Sequence, residues 1–305
     1  MTAYTGVSSN RFKTWLIMFL FAAFITLLVY VFTNALGFRG PSALGFTGIA
    51  LIIAGIMNFF SYYYSDKIIM TISAAKQIQK KDNPQLFRII ENLSIASGLP
   101  MPKVFLVDDS APNAFATGRD PKHASIAFTS GILEKLNRQE LEGVAAHELS
   151  HVGNYDTRLL TIVSVLVGMI ALLSDWFIRI TWFGGGNRDN DDNDSAAGIF
   201  MIIAFVLAIL SPIIATLIQL AVSRKRELLA DASGALLTRN PEELAQALIK
   251  ISKDQEPLEV ANKATAHLYI VNPFKDGHKM VGNFANLFNT HPPIEERVKA
   301  LRAME

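Results

Sequence analysis

The 305-residue chain contains no cysteine. Disulfides and thiolate metal sites are therefore excluded, and any metal must be held by His, Asp or Glu. Charge is also scarce. Asp, Glu, Lys and Arg make up 18% of the residues against 50% hydrophobic ones, and the mean hydropathy is +0.29. A soluble enzyme of this length carries more charge, so the balance points to a membrane protein. The net charge of +1 offers no basic surface for nucleic acid. The redox compartment stays open, because a cysteine-free chain suits either side of a membrane. There is no internal repeat.

What is present is a set of apolar runs. Trp15 to Phe32 and Ala43 to Tyr64 carry no charge, and a membrane-spanning helix needs about 20 apolar residues. They predict an uncleaved helical hairpin with a turn around Gly40-Pro41. A third run starts at Leu159 and is interrupted by Asp175 and Arg179. It is either a span or a helix that stays buried or only dips into the bilayer. A fourth runs from Ala196 to Ser223, with Pro212 inside. The Gly-rich, acidic linker between the last two, residues 184–194, reads as a solvated tip. Basic residues collect on one side of these runs: Arg11 and Lys13 before the first, Lys67, Lys76, Lys80 and Lys81 after the second, and Arg224, Lys225 and Arg226 after the fourth. Such residues mark the cytoplasmic side, which puts both termini and the polar segments there.

The expected architecture is an α+β membrane protein. It is mainly helical, with about four transmembrane helices in two hairpins and a cytosolic domain carrying a small β-sheet. The divisions are 1–66 (first hairpin), 67–158 (cytosolic part with the sheet), 159–223 (second hairpin, transmembrane or membrane-associated) and 224–305 (cytosolic helical part). Asn83-Pro84 opens a helix that runs to about Ala96. Lys103–Val107 and Ala124–Phe128 read as strands. Helices are expected from Leu133, over Gln139–Asn154, over Arg226–Leu237 and over Pro241–Ile251.

The chemistry is concentrated in Ala145-Ala146-His147-Glu148-Leu149-Ser150-His151. Residues four apart share one helix face, so both imidazoles aim at one point, as two nitrogen ligands of a tetrahedral zinc require. Glu148 lies beside that face, near enough to act as general base on an attacking water. The plain alternative is two surface histidines, but Val144, Ala145, Ala146 and Leu149 make the surroundings apolar. A catalytic zinc needs a third ligand. The third His of the longer HExxHxxGxxH pattern is missing, so a carboxylate must supply it. Glu227 and Asp231, again four apart, are candidates as zinc ligand and as the partner of a ligand imidazole, in particular His147. Spacing alone does not separate this from an ordinary solvated acidic pair. His123, His267 and His278 have no partner at ligand spacing.

Together these residues resemble the HtpX-type membrane zinc metalloproteases, relatives of the CAAX prenyl endopeptidases. The resemblance covers nearly the whole chain. It rests on both hairpins, on HELSH followed by Gly153-Asn154-Tyr155-Asp156, and on Ser223-Arg224-Lys225-Arg226-Glu227 through Ala230-Asp231. It implies His147, His151 and Glu227 on one Zn2+ per chain, and a zinc site facing the cytoplasm of the cell membrane. The implied activity is ATP-independent cleavage of misfolded or damaged membrane proteins, with the bilayer and unfolded polypeptides as partners and no nucleic acid. It also gives meaning to Asn113, Ala114 and Phe115. They resemble the family's edge strand lining the cleft, with Asn113 holding the substrate backbone; otherwise they form an Asn turn before a strand. His291-Pro292-Pro293-Ile294-Glu295-Glu296-Arg297 resembles the His-Pro segment, with His291 donating to the oxyanion and Arg297 supporting it. The same residues also suit a helix start capped by Asn289 or Thr290. Two rivals remain, a prenyl-protein processing enzyme and a zinc-bearing scaffold without activity. Four apolar runs are few for the first, and an intact Glu148 is superfluous in the second.

Overall fold

The structure, a computed structural model, describes residues 3–35, 40–183, 224–259, 265, 268–271 and 292–304. Two long helices open the chain, α1 (Ala3–Ala35) and α2 (Pro41–Ile72). Both run past the limits of the apolar segments. Within them, Ser8–Leu27 and Leu44–Ile72 are long and apolar enough to cross a membrane. They pack as a hairpin, with Trp15 stacked on Tyr62 and Asn58 Nδ2 donating to Met18 O at 2.9 Å. Ile49, Ile52, Ile53, Ile56, Phe59 and Phe60 of α2 face outward. That much exposed apolar surface fits a helix in lipid.

Next come β1 (Lys76–Gln77), α3 (Pro84–Ser97), β2 (Lys103–Val107), β3 (Ala114–Thr117), a short 3-10 turn (Pro121–His123), β4 (Ser125–Thr129) and α4 (Ser130–Lys135). Helix α3 starts where Asn83 Oδ1 accepts from Leu86 N–H and ends at Gly98, whose φ of 70° is the left-handed stop that glycine adopts freely. Helix α4 begins three residues before the expected start, because Thr129 Oγ1 caps it. The strands form a sheet in the order β1-β2-β4-β3. The β2–β4 pair is parallel, and β1–β2 and β3–β4 are antiparallel. Strand β3 is therefore an edge.

Helix α5 (Arg138–Gly153) carries the histidine motif. Its start is a capping box. Asn137 Oδ1 accepts from the N–H groups of Gln139 and Glu140, and Glu140 Oε2 accepts from Asn137 N–H. Tyr155 then takes a φ of 60°, uncommon for a residue with a side chain. This turn starts α6 (Asp156–Phe183) in a new direction. Leu159, Ile162, Val163 and Leu166 on α6 are fully buried in a core shared with Ile17, Phe21 and Ala54 of the first hairpin. The third apolar run is thus a helix packed against the other two. The fourth lies outside the described residues.

The remaining described helices are α7 (Arg224–Thr238), α8 (Pro241–Lys253) and α9 (Ile294–Arg302). Helix α9 starts at Ile294 with Pro293 in the cap position and Glu295 and Glu296 in its first turn; Asn289 and Thr290 lie outside the described residues. A second core joins the sheet to α3, α5 and α8 through Ile90, Ile126, Phe128, Leu149, Leu244 and Leu248. Helix α5 buries Val144, Ala145, Ala146 and Leu149 in this second core.

Candidate metal centre

His147 and His151 sit one turn apart on α5, with Nε2 atoms 3.1 Å apart and ring planes perpendicular. Glu227 on α7 closes the triangle. Its Oε2 lies 3.8 Å from His147 Nε2, and its Oε1 lies 3.5 Å from His151 Nε2. All three residues are buried, and their ligand atoms lie within 4.8 Å of one another. Among the described residues they form the metal-ligand cluster found. At zinc bond lengths of about 2.0–2.1 Å, tetrahedral ligand atoms stand roughly 3.3–3.5 Å apart, so this donor set fits zinc.

The rear of each imidazole meets a carboxylate. Asp231 Oδ1 is 2.8 Å from His147 Nδ1, approaching off the N–H axis. Asp156 Oδ2 is 3.1 Å from His151 Nδ1. Backing of this kind fixes which nitrogen faces the metal. Asp231 is the candidate raised by its spacing to Glu227. Asp156 had no such signal beyond being an acid just after the helix end. It reaches His151 only because the Tyr155 turn folds it back. Asn10 of α1 holds Asp156 with an Nδ2 donor at 2.7 Å, and Arg226 Nε is 3.5 Å away.

Arg297 is fully buried. Its Nε and Nη2 donate to both oxygens of Asp231 at 2.8 and 2.7 Å, and its Nη1 donates to Ile270 O at 3.0 Å. The structure thus gives Arg297 to Asp231, and through it to His147. His291 lies outside the described residues.

These contacts set the charges. Burial opposes charge on Asp231, but the Arg297 guanidinium outweighs it and holds the pKa at about 2. Burial lowers the pKa of His147 despite Asp231. Burial opposes charge on His151 as well, yet Glu227, Asp156 and Glu148 raise it to about 9. Glu148 is only 2% exposed, and burial, aided by Glu227, lifts its pKa to about 7 against the pull of His151 and Arg297. A carboxyl group near neutrality is matched to proton transfer at cellular pH.

The surroundings of the site are tight. His147, Glu148, His151 and Glu227 share a cavity of about 10 Å³ with Ala116, Thr157, Leu160 and Leu268–Ile270, room for about one water molecule. The edge of β3 is partly taken. Ile270 N–H donates to Ala114 O at 3.1 Å, Asn113 Nδ2 donates to Val271 O at 3.1 Å, and Tyr269 packs edge-on against Phe115 at 5.0 Å. Asn113, Ala114 and Phe115 are all buried. The Asn113 and Phe115 side chains and the Ala114 carbonyl all contact the chain's own 268–271 segment. Ala116 differs. Its N–H faces the Glu148 carboxylate, and its carbonyl oxygen has no partner among the described residues. His123 sits apart from the site, half exposed, with Nδ1 2.7 Å from Asp120.

Comparison with known proteins settles the family. The model of peptidase family M48 matches residues 80–305. The chain belongs to peptidase family M48. A protease HtpX homolog of Dictyoglomus thermophilum is 45% identical over 305 residues, covering 99% of this chain and 95% of that protein. One from Lactobacillus acidophilus is 46% identical, covering 99% of both. Among solved structures, S. mikatae Ste24p matches with a TM-score of 0.48 and 18% identity, covering 98% of this chain and 67% of that one. The M48 chain is thus an HtpX-type membrane metalloprotease, and the match takes in α5 and α7 together.

Proposed function

We propose that this M48 protease is a zinc-dependent endopeptidase of the cell membrane that cleaves misfolded or damaged membrane proteins. In this reading it is a multi-pass protein with its site on the cytoplasmic side. The observation that carries the proposal is the buried triangle of His147, His151 and Glu227 with Glu148 beside it. Those three residues would hold zinc, which when bound polarises the scissile carbonyl and makes a nearby water more acidic.

The chain's own groups do the rest. Glu148 accepts the proton of the attacking water and passes it to the leaving amine nitrogen. Asp231 and Asp156 keep the Nε2 atoms of His147 and His151 turned inward. Arg297 keeps Asp231 ionised and in place. The Ala116 carbonyl, which has no partner among the described residues, is where an extended peptide can pair with β3, next to the reacting groups. His291 supplies the hydrogen bond to the developing oxyanion. The basic residues at the ends of the apolar runs support the cytoplasmic placement, and a site flanked by α6 and α7 lies close to the bilayer. That proximity supports membrane proteins as substrates.

The test is chelation followed by metal return, on detergent-solubilised full-length protein acting on an unfolded membrane protein. Cleavage should stop on chelation and return with zinc but not with magnesium. Cleavage unaffected by thorough chelation would reject the reading.

A further inference from the structure

Three arginines from separate parts of the chain meet on a patch of tyrosines at the end of the first hairpin. The Arg11 Cζ of α1 lies 4.7 Å from the centre of the Tyr155 ring, and the Arg158 Cζ of α6 lies 4.8 Å from it. Arg158 also stands over Tyr62 at 5.7 Å. Arg119, in the loop after β3, stands over Tyr63 at 5.2 Å and donates from Nη1 to Tyr63 O. Arg158 Nε donates to Arg119 O, which joins the two. Tyr62 and Tyr63 touch edge to face, and Trp15 stacks on Tyr62.

The charge here is poorly balanced. Among the described residues, Arg11 and Arg158 have no carboxylate partner. Arg119 has one, Asp120, at 3.7 Å, and that acid is shared with His123. Asp156 is nearby in sequence but is committed to His151, Asn10 and Arg226. The rings cover guanidinium faces, and apart from Arg119 Nη1 and Arg158 Nε the N–H edges have no acceptor among the described residues. A guanidinium has five such donors. Of the Arg158 donors, Nε has a protein acceptor. Its two Nη groups reach the surface, where an acceptor from outside the protein can meet them.

The position says which one. The patch lies where the span Ser8–Leu27 begins and where the uncharged run of α2 ends at Tyr64, just before Asp66 and Lys67. Aromatic belts mark the level of lipid headgroups. A phosphate group accepts several guanidinium N–H bonds at once. We infer that Arg11, Arg119 and Arg158 form a binding site for the phosphate of an anionic phospholipid in the leaflet facing the protease body.

The experiment is a titration of full-length protein in neutral detergent micelles with phosphatidylglycerol, phosphatidylcholine or inorganic phosphate, read as the shift in Tm. Phosphatidylglycerol should raise Tm saturably, while phosphatidylcholine and inorganic phosphate at the same concentration should not. Arg158→Gln and Arg11→Gln should each weaken the phosphatidylglycerol response by about fivefold. Arg11 is exposed, so its variant reports even where Arg158→Gln fails to fold. Lys299→Gln, exposed on α9 and outside the patch, should bind as wild type does. Equal phosphatidylglycerol affinity for Arg11→Gln and wild type would overturn the site. So would an equal response to phosphatidylcholine, or saturation by inorganic phosphate alone.

Discussion

Arg297 shows how far the metal centre extends beyond its ligands. A fully buried guanidinium is tolerable only when paired, and Asp231 takes two of its donors. Asp231 in turn sits against His147. Removing the cation leaves a buried, uncompensated carboxylate directly behind a ligand imidazole. Arg297→Met should destabilise the fold by about 3–5 kcal/mol, the usual range for breaking a buried pair from one side. Arg297→Lys should lose less stability, because a point charge remains without the two-pronged contact. Thermal denaturation compares them, and zinc titration should show weakened affinity in both. Wild-type zinc affinity in Arg297→Met would separate the Asp231 contact from the site.

At the scale of elements, the site depends on how closely α7 approaches α5. Glu227, Asp231 and Gly234 share one face of α7. A β-carbon added at Gly234 would lie 3.0 Å from His147 N and 3.2 Å from both Ala146 C and His147 Cα. These are backbone atoms and cannot swing aside. Gly234→Ala should therefore push the helices apart, at a cost of about 1–3 kcal/mol, and carry Glu227 away from the imidazoles. Isothermal zinc titration should show weaker binding; unchanged binding would refute this packing account.

A second link ties α8 to α9 on the surface. The guanidinium of Arg302, with help from Gln246, holds the Glu242 pKa at about 2. A folded pKa below the unfolded value stabilises above about pH 4.5, and that contribution fades as pH falls towards 2. The Tm difference between wild type and Glu242→Gln should be small, present at pH 6 and gone near pH 2. A difference that grew in acid would contradict the pairing.

Across the whole molecule, the parts legible in the sequence are those governed by local rules. Asn83-Pro84 opens α3, short apolar runs rich in β-formers mark β2 and β4 to within a residue, and four-residue spacing places His147 with His151 and Glu227 with Asp231. The family resemblance extended this to the choice of Glu227. What stayed hidden depends on contacts distant in sequence. Asp156 joins the site through one left-handed residue, Tyr155. Arg297 finds Asp231 across 66 residues. Asn113 reaches Val271 across 158. No periodicity encodes such pairings. The packing explains why they matter: α5 is held by the sheet, α3, α7 and α8 and is followed directly by α6, which packs on the hairpin.

The most direct test of this account compares zinc content and casein cleavage for wild type, Glu148→Gln and Glu227→Gln, all full length and purified in detergent. Wild type should hold one zinc per chain and cleave. Glu148→Gln should keep its zinc and lose cleavage by at least about a hundredfold, the scale of a missing general base. Glu227→Gln should lose both. Cleavage by Glu148→Gln at the wild-type rate, or full zinc occupancy in Glu227→Gln, would contradict the assigned roles.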